Sequence, residues 1–594
     1  MRRSRFGVLI IRRTSAMRIT RLRIKNFRNL ASVDVPLSAY NVFVGENRVG
    51  KSNLIHALRL LFDPTLPNSD RNLRREDFWD GLANGRMDWD PFTEKAEISV
   101  SVDIEDFEDD DRASAVLAGA LVSRSPVKAR ITFKYAPKEL PGDTTDDSAY
   151  RAFIFQGDDE SNFMPSELRS FLHLAFLHAL RDVESDVTNW RRSPLRQLLE
   201  AAAESSTATE LTKIADSIEQ ANSQVSSLPS IKDLGDKITK LMTDMVGPSH
   251  ALQSELGVAS PDPQRLIRTL RLFVDGDNKR PLPSASLGSL NILYFTLMEL
   301  GLERRLSKEI AHSILAIEEP EAHLHPHLQR LVFRRLLENA SDTHTVFVTT
   351  QSPHIASAAG PQNIIFLRDN GKSTDTLSAA DANLSDEDWE DIARYLDVTR
   401  AEMIFAKRVL LVEGYAEQAI VPALAESLGY DLDKYGITVC AIHGTHFLPY
   451  ISFCKAVGIP YAVITDGDET ASKTIGRKVV TGNLRARRWL TSLKESGTAE
   501  ESGIFVGKTT FEFDLASASD ANLQAGIATL KGLARTQQAL KDITSWGGLL
   551  PTYKQYLGMI RRVGGKGRYA NAVLGHELDC PAYVQNAIEH LVAQ

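Results

Sequence analysis

Gly45 to Ser52, GENRVGKS, follows the apolar run Tyr40 to Val44 and precedes an amphipathic stretch, Asn53 to Leu61. The segment matches G-x-x-x-x-G-K-[ST] in full, and strand, glycine-rich loop, helix is the context such a phosphate loop requires. Backbone N–H groups of the loop wrap a β-phosphate, an approach that a Cβ at Gly45 or Gly50 would hinder. Lys51 reaches the β and γ oxygens, and the Ser52 hydroxyl ligates Mg²⁺. Asn47 and Asn53 flank them as further nucleotide contacts. The following helix points its positive end at the phosphates. The chain therefore binds a nucleoside triphosphate, for a purpose the loop alone does not state.

At 594 residues the chain is too long for one core and divides into three or four folding units. With 43% apolar and 25% charged residues it has the composition of a globular protein. No apolar run approaches the ~20 residues that span a bilayer. The three cysteines, Cys440, Cys454 and Cys580, show neither disulfide parity nor metal spacing, which points to a reducing cytoplasm. A net charge of −8 leaves room for basic stripes. Two occur late: Arg477, Lys478, Arg485, Arg487 and Arg488, then Arg561, Arg562, Lys566 and Arg568. They are candidate DNA contacts, with solvated charged faces as the alternative.

Residues 1–16 are Arg-rich around a short apolar centre and read as an upstream start or a disordered extension. From Met17 the pattern alternates through two strands before the loop strand. Glu97 to Asp103, Val127 to Tyr135 and Arg151 to Phe155 follow as strands with no helices between, so 17–164 includes an antiparallel layer. Residues 165–264 read as a helical insertion, including Phe171 to Leu180 and a long exposed pair over 203–240 suited to dimer contact. A β/α pattern resumes over 265–371, 372–398 reads as a polar linker, and 399–594 forms a new unit.

A phosphate loop needs a second acidic site. SILAIEEPEAHLHP is a buried strand delivering Glu318 and Glu319 at its carboxyl end: Glu318 to hold Mg²⁺ through water, Glu319 to polarise the attacking water. Upstream, LPSASLGSLNILYF presents Ser286 and Gly288 before an apolar helix; downstream, TVFVTTQSPHIAS ends a strand at Thr350 and Gln351. Phosphate loop, long insertion, Ser/Gly signature, acidic strand and polar strand end, in this order, resemble an ABC-type (SMC/Rad50/RecF-like) ATPase. The resemblance implies that the signature of one subunit closes over the nucleotide of another in a homodimer. Three positions depart from that group: Gln351 stands where His is usual, His325 where the D-loop Asp is expected, and Glu318 replaces Asp. Gln cannot act as an imidazole acid or base, so slow ATP turnover is expected.

After the linker, KRVLLVEGYAEQAIVPAL gives a strand, Glu413, Gly414, and a helix carrying Glu417. Some fifty residues on, YAVITDGDET gives a strand ending in Asp466 and Asp468. Carboxylates at neighbouring strand ends can share one metal cluster, and the pair of motifs resembles a Toprim domain. TFEFDLA reads as an alternating strand with Glu512 between Phe511 and Phe513, and VGGKGRYA presents Lys566 between glycines. An ABC ATPase with a helical insertion followed by a C-terminal Toprim α/β domain resembles the OLD (overcoming lysogenisation defect) family, to which the Gabija defence nuclease also belongs.

The resemblance implies an ATP-binding DNA endonuclease, a nickase, with Glu413, Glu417, Asp466, Asp468 and Glu512 as ligands of two Mg²⁺ ions and Lys566 offsetting charge on the phosphate. Mn²⁺ or Ca²⁺ are alternatives at that site. It also implies DNA and a second copy of the chain as partners, leaves room for a helicase-like partner protein, and suggests a role in phage defence. The alternatives are a topoisomerase- or primase-like Toprim enzyme, or an SMC-like DNA clamp without nuclease activity.

Overall fold

The computed structural model describes residues 17–137, 150–178, 193–246 apart from 205–206, short pieces between 270 and 282, 285–306, 312–338 apart from 323, 344–396 apart from 383, 401–471 and 478–594. The expected extension over 1–16 lies outside the described residues. The chain forms two compact units, one of Met1–Ala179 with Ala311–Gln594, the other of Leu180–Ile310.

In the larger unit β1 (Arg18–Phe27) pairs antiparallel with β2 (Leu30–Pro36), setting Leu22 opposite Val35 and Ile24 opposite Val33, so the apolar alternation falls on one face. The chain then leaves this layer through β3 (Tyr40–Val44) and returns with β4 (Ile98–Glu105), β5 (Leu121–Arg124), β6 (Val127–Pro137) and β7 (Tyr150–Gln156). The order β2-β1-β4-β6-β5, with β7 also on β6, is antiparallel throughout, although the short helix Asp111–Leu117, unforeseen in the sequence, lies between β4 and β5. Its apolar face and the phosphate-loop helix Lys51–Phe62 share one core containing Ile24, Phe27, Leu54, Leu58, Val100 and Phe133.

The loop strand sits inside a second sheet. With β8 (Leu172–Leu177), β11 (His312–Glu318), β12 (His344–Thr350), β13 (Ile364–Asp369) and β14 (Thr374–Ser378), the order is β14-β13-β3-β12-β11-β8. All pairings are parallel except β13 with β14. This brings the carboxyl ends of β3, β12 and β11 side by side, the edge at which open α/β sheets place ligands.

Three expectations change here. Phe171 to Leu180 reads as helical, yet Leu172–Leu177 is a strand along β11, because Leu and Ala leave local preference open and pairing decides it. The compact insertion is Leu180–Ile310 rather than 165–264, and it includes Ser286 and Gly288. The stretch expected as a linker carries β14 and the helix Asp386–Tyr395, whose Ser385–Asp388 capping box explains its polar, acidic start.

The smaller unit holds the helices Pro194–Glu204, Ala208–Ser226, Pro229–Val246 and Leu287–Leu306, with a short pairing of β9 (Phe273–Val274) and β10 (Arg280–Pro281). Along Pro229–Val246, Leu234, Ile238, Leu241 and Met245 are exposed at coiled-coil spacing. Ser286 caps Leu287–Leu306, its Oγ accepting from Ser289 N at 3.2 Å, and Gly288 lies in that first turn.

The C-terminal part of the larger unit builds a four-stranded parallel sheet, β16-β15-β17-β20, from β15 (Arg408–Val412), β16 (Ile437–Ala441), β17 (Tyr461–Thr465) and β20 (Ile504–Val506). Val409 to Val412 are fully buried, as strands covered on both faces must be. A ribbon of β18 (Glu469–Ala471) and β19 (Lys478–Val480) extends beyond β17. The helices Tyr553–Arg562, Lys566–Val573 and Ala582–Ala593 help to close the core, where the buried Tyr556 and Tyr569 hydroxyls share a hydrogen bond of 2.7 Å.

Candidate functional site

The phosphate loop is shaped by two close approaches. A Cβ on Gly45 would lie 2.5 Å from the Leu367 carbonyl oxygen of β13, and Gly50, at φ +99°, faces the Asn29 side chain. Lys51 Nζ donates to the carbonyl oxygens of Gly45 and Glu46 at 2.8 and 2.9 Å, so the ammonium lies within the loop's own curve. Burial lowers its pKa, and Glu319 and Glu321 oppose that shift. Ser52 is exposed beside it. Asn53 is turned to the loop's support: it donates to Asn29 at 2.7 Å and accepts from Arg28 at 2.8 Å, while Thr374 donates to the Val49 carbonyl oxygen at 2.7 Å. Asn47 lines the cleft described below.

Glu318 ends β11 almost wholly buried, with His178 Nδ1 3.7 Å from its carboxylate. Glu319 follows at φ +41° and accepts from Gln351 Nε2 at 2.7 Å. Gln351 thus anchors the carboxylate expected to polarise water. Sequence reading passed over Glu321, which accepts from Gln351 N at 2.6 Å and Thr350 Oγ1 at 2.9 Å, and whose pKa burial raises. Its signal was present in the EEPE run. His325 Nδ1 accepts from His327 N in its own turn at 3.3 Å.

The second site lies at the carboxyl ends of β15 and β17. Leu411 pairs with Val463, which sets Glu413 opposite Thr465. Glu413 Oε1 accepts from Thr465 Oγ1 at 2.5 Å and from Asp466 N at 2.8 Å. Asp466 Oδ1 in turn accepts from Phe511 N at 2.8 Å, tying the DGD turn to the helix Phe511–Ser517. Glu512 sits in that helix, not in the alternating strand expected. The Phe-Glu-Phe-Asp alternation is overridden because both acids are buried on the helix's first turn, where its dipole favours them. Asp514, which sequence reading missed two positions on, accepts from Lys508 N, Thr509 N and Thr509 Oγ1 and fixes the loop before Glu512.

Glu512 is fully buried with Lys566 Nζ at 3.0 Å, and its Oε1 has no hydrogen-bond partner among the described residues. Glu417 and Asp466 are also buried. Burial, then the charge of Glu512, raises Glu417 to about 7; burial, then Glu413 and Glu417, raises Asp466 to about 8. Burial works against the Lys566 charge, but Glu512 outweighs it and lifts that pKa. A buried, unpartnered Glu512 oxygen near two further buried carboxylates fits a hard divalent cation. As they stand, no three acidic, His or Cys side chains among the described residues converge on one ion position.

Arg485, proposed from sequence as a DNA contact, is instead inside this group, its Nη2 3.3 Å from Glu413 Oε1 and Nη1 3.3 Å from Asp468 Oδ2. Arg487, Arg488, Arg561 and Arg568 are exposed, Arg562 pairs with Asp542 at 2.7 Å, and Arg477 lies outside the described residues.

A cleft of about 980 Å³ runs from the phosphate loop to the amino-terminal ends of β15 and β16, lined by Gly45, Glu46, Gln351, Arg368, Lys407 and Thr438, among others; the carboxylates lie at the other end of those strands. Lys407 Nζ lies 3.3 Å from Glu46 in the phosphate loop, and the next residue begins β15, the strand that Glu413 follows at its far end. Phe366 of β13 packs edge-on against Phe453 across the same junction. No helix among the described residues is long and apolar enough to cross a membrane.

Residues 40–357, more than half of the chain, match the family model "AAA domain, putative AbiEii toxin, Type IV TA system". Residues 404–468 match "Overcoming lysogenization defect protein-like, TOPRIM domain". Over 497 residues the chain is 23% identical to "Endonuclease GajA" of Bacillus cereus (strain VD045), covering 80% of this chain and 79% of that protein. It is 26% identical over 479 residues to "OLD nuclease" of Thermus scotoductus, covering 76% and 82%. The solved C-terminal region of the Burkholderia pseudomallei OLD protein is 28% identical, with 32% of this chain and 98% of that one covered and a TM-score of 0.29. The chain belongs to the family of the first model, which spans its nucleotide-binding module, and an OLD-like Toprim module follows it.

Proposed function

We propose that the chain is a DNA endonuclease whose Toprim carboxylates, together with divalent metal, hydrolyse a phosphodiester under the control of ATP bound at the phosphate loop. One observation carries it: Glu413, Glu417, Asp466, Asp468 and Glu512 gather around one end of the parallel sheet, with Lys566 paired to the deepest of them. Divalent ions, Mg²⁺ or in their place Mn²⁺ or Ca²⁺, would supply an activated water and charge for the leaving 3′ oxygen. Lys566, half exposed, can turn its ammonium from Glu512 to a phosphoryl oxygen, where a preorganised cation favours the pentacovalent state. The DNA-facing cations are Arg487, Arg488, Arg561 and Arg568.

The Lys407–Glu46 contact supports control by nucleotide, since it joins the loop to the start of the strand that leads to Glu413. Gln351 supports slow ATP turnover, because it holds Glu319 by an amide that neither takes up nor releases a proton. The exposed seam Leu234, Ile238, Leu241 and Met245 suits a homodimer contact. The test is nicking of supercoiled plasmid across Mg²⁺, Mn²⁺ and Ca²⁺ with and without ATP. Glu413→Ala and Asp466→Ala are expected to abolish it while ATP binding persists; cleavage retained in either variant defeats the proposal.

A further inference from the structure

Arg485 is placed with care. The helix Thr481–Leu493 begins directly on the DGD turn: Gly482 N donates to the Gly467 carbonyl oxygen at 2.9 Å, and a Cβ on Gly482 would run into the Asp466 carbonyl oxygen. Only glycine lets the helix approach so closely, and the approach sets Arg485, one turn later, over the carboxylates. Its Nη2 donates to the Asp466 carbonyl oxygen at 2.7 Å and to Thr465 Oγ1 at 3.1 Å, besides its ion pairs with Glu413 and Asp468. The side chain is 18% exposed, and its Nε is buried without a partner, so the guanidinium is drawn in by the acids rather than offered to solvent.

Resting on the metal-dependent reading above, we infer that Arg485 is a resident counter-ion of the Toprim site, bridging Glu413 and Asp468 where a divalent cation would otherwise be held. The guanidinium holds both carboxylates in place, and a divalent ion enters between them only as that fork gives way. Two charges of one sign cannot share the space without cost, so Arg485 weakens the affinity of the free protein for metal. A nuclease so arranged carries less metal away from DNA and assembles its site when phosphate arrives to draw the guanidinium off.

The experiment is calorimetric titration of the metal-free full chain with Ca²⁺, without DNA, so that binding is read apart from cleavage. Arg485→Gln keeps a donor for the Asp466 carbonyl but removes the charge, and is expected to bind Ca²⁺ about tenfold more tightly than the unsubstituted protein. Arg485→Lys keeps the charge and is expected to stay within about twofold of it. Gln at equal or weaker affinity, or Lys as tight as Gln is expected to be, overturns the inference while leaving the metal site standing. Absence of binding in all three proteins, with Ca²⁺ and in a repeat titration with Mn²⁺, removes the metal-site reading and the inference with it.

Discussion

The phosphate loop and the carboxylate cluster are both polar groups gathered at the carboxyl edge of a parallel sheet, yet their acids are held differently. In the loop the main charged group is Lys51, satisfied by two carbonyl oxygens, and the nearby acids are tethered by neutral partners, Glu319 by Gln351 and Glu321 by Thr350 and the Gln351 N–H. In the cluster five carboxylates share two cations, and Glu512 keeps an oxygen without a partner. The first arrangement sets one ammonium among tethered acids, which suits a polyphosphate bound with its cation. The second is short of positive charge, which suits a metal under the proposed function. The same topology therefore serves two chemistries, with side-chain charge at the strand ends choosing between them.

The largest expected break in that comparison is Lys51→Ala, which removes the loop's cation. ATP affinity is expected to fall by more than about a hundredfold, while Ca²⁺ titration of the cluster is unchanged. Loss of both together would show that the sites are not separately built. A smaller effect is expected from Gln351→His, which keeps a donor for Glu319 and adds a group able to exchange protons. Phosphate release from ATP should rise about tenfold; an unchanged rate would mean that closure of the site, not the proton, limits turnover.

The smallest effect concerns stability. His56 on the phosphate-loop helix stacks on Phe27 with ring centroids 5.9 Å apart, and burial, aided by Arg28 and Arg59, lowers its pKa to about 4. The folded protein refuses a proton that the unfolded chain accepts near pH 6.5, so its contribution is whole above that pH and is lost as pH falls towards 4. The loss amounts to roughly 3 kcal/mol at most. A melting-temperature profile should slope downward over that window in the native sequence and flatten in His56→Phe; parallel profiles would assign the slope to other groups.

Motifs bound to consecutive residues were readable directly. GENRVGKS, the EE pair after an apolar strand, and the VEG and DGD strand ends each combine a backbone shape with a charge within a few positions, and local sequence carries both. Glu512 was located by its residue type but assigned the wrong element, because a short Phe-Glu-Phe-Asp alternation fits a strand while burial of both acids at a helix start requires the other choice. Leu172–Leu177 was lost for the same reason: its partner β11 lies more than a hundred residues away.

What the sequence determined by itself was the order of the modules and the identity of the charged groups, because each motif needs only its neighbours to be recognised. What only the tertiary structure decided was which charges meet. Arg485 belongs to the carboxylates and not to an outer basic stripe, since Gly482 lets its helix settle on the DGD turn. Gln351 holds Glu319, since β12 and β11 run side by side. Lys407 touches Glu46, since the start of β15 lies beside the phosphate loop across one cleft. Such pairings depend on distances across the fold, and a Coulomb interaction follows distance in space, not separation along the chain.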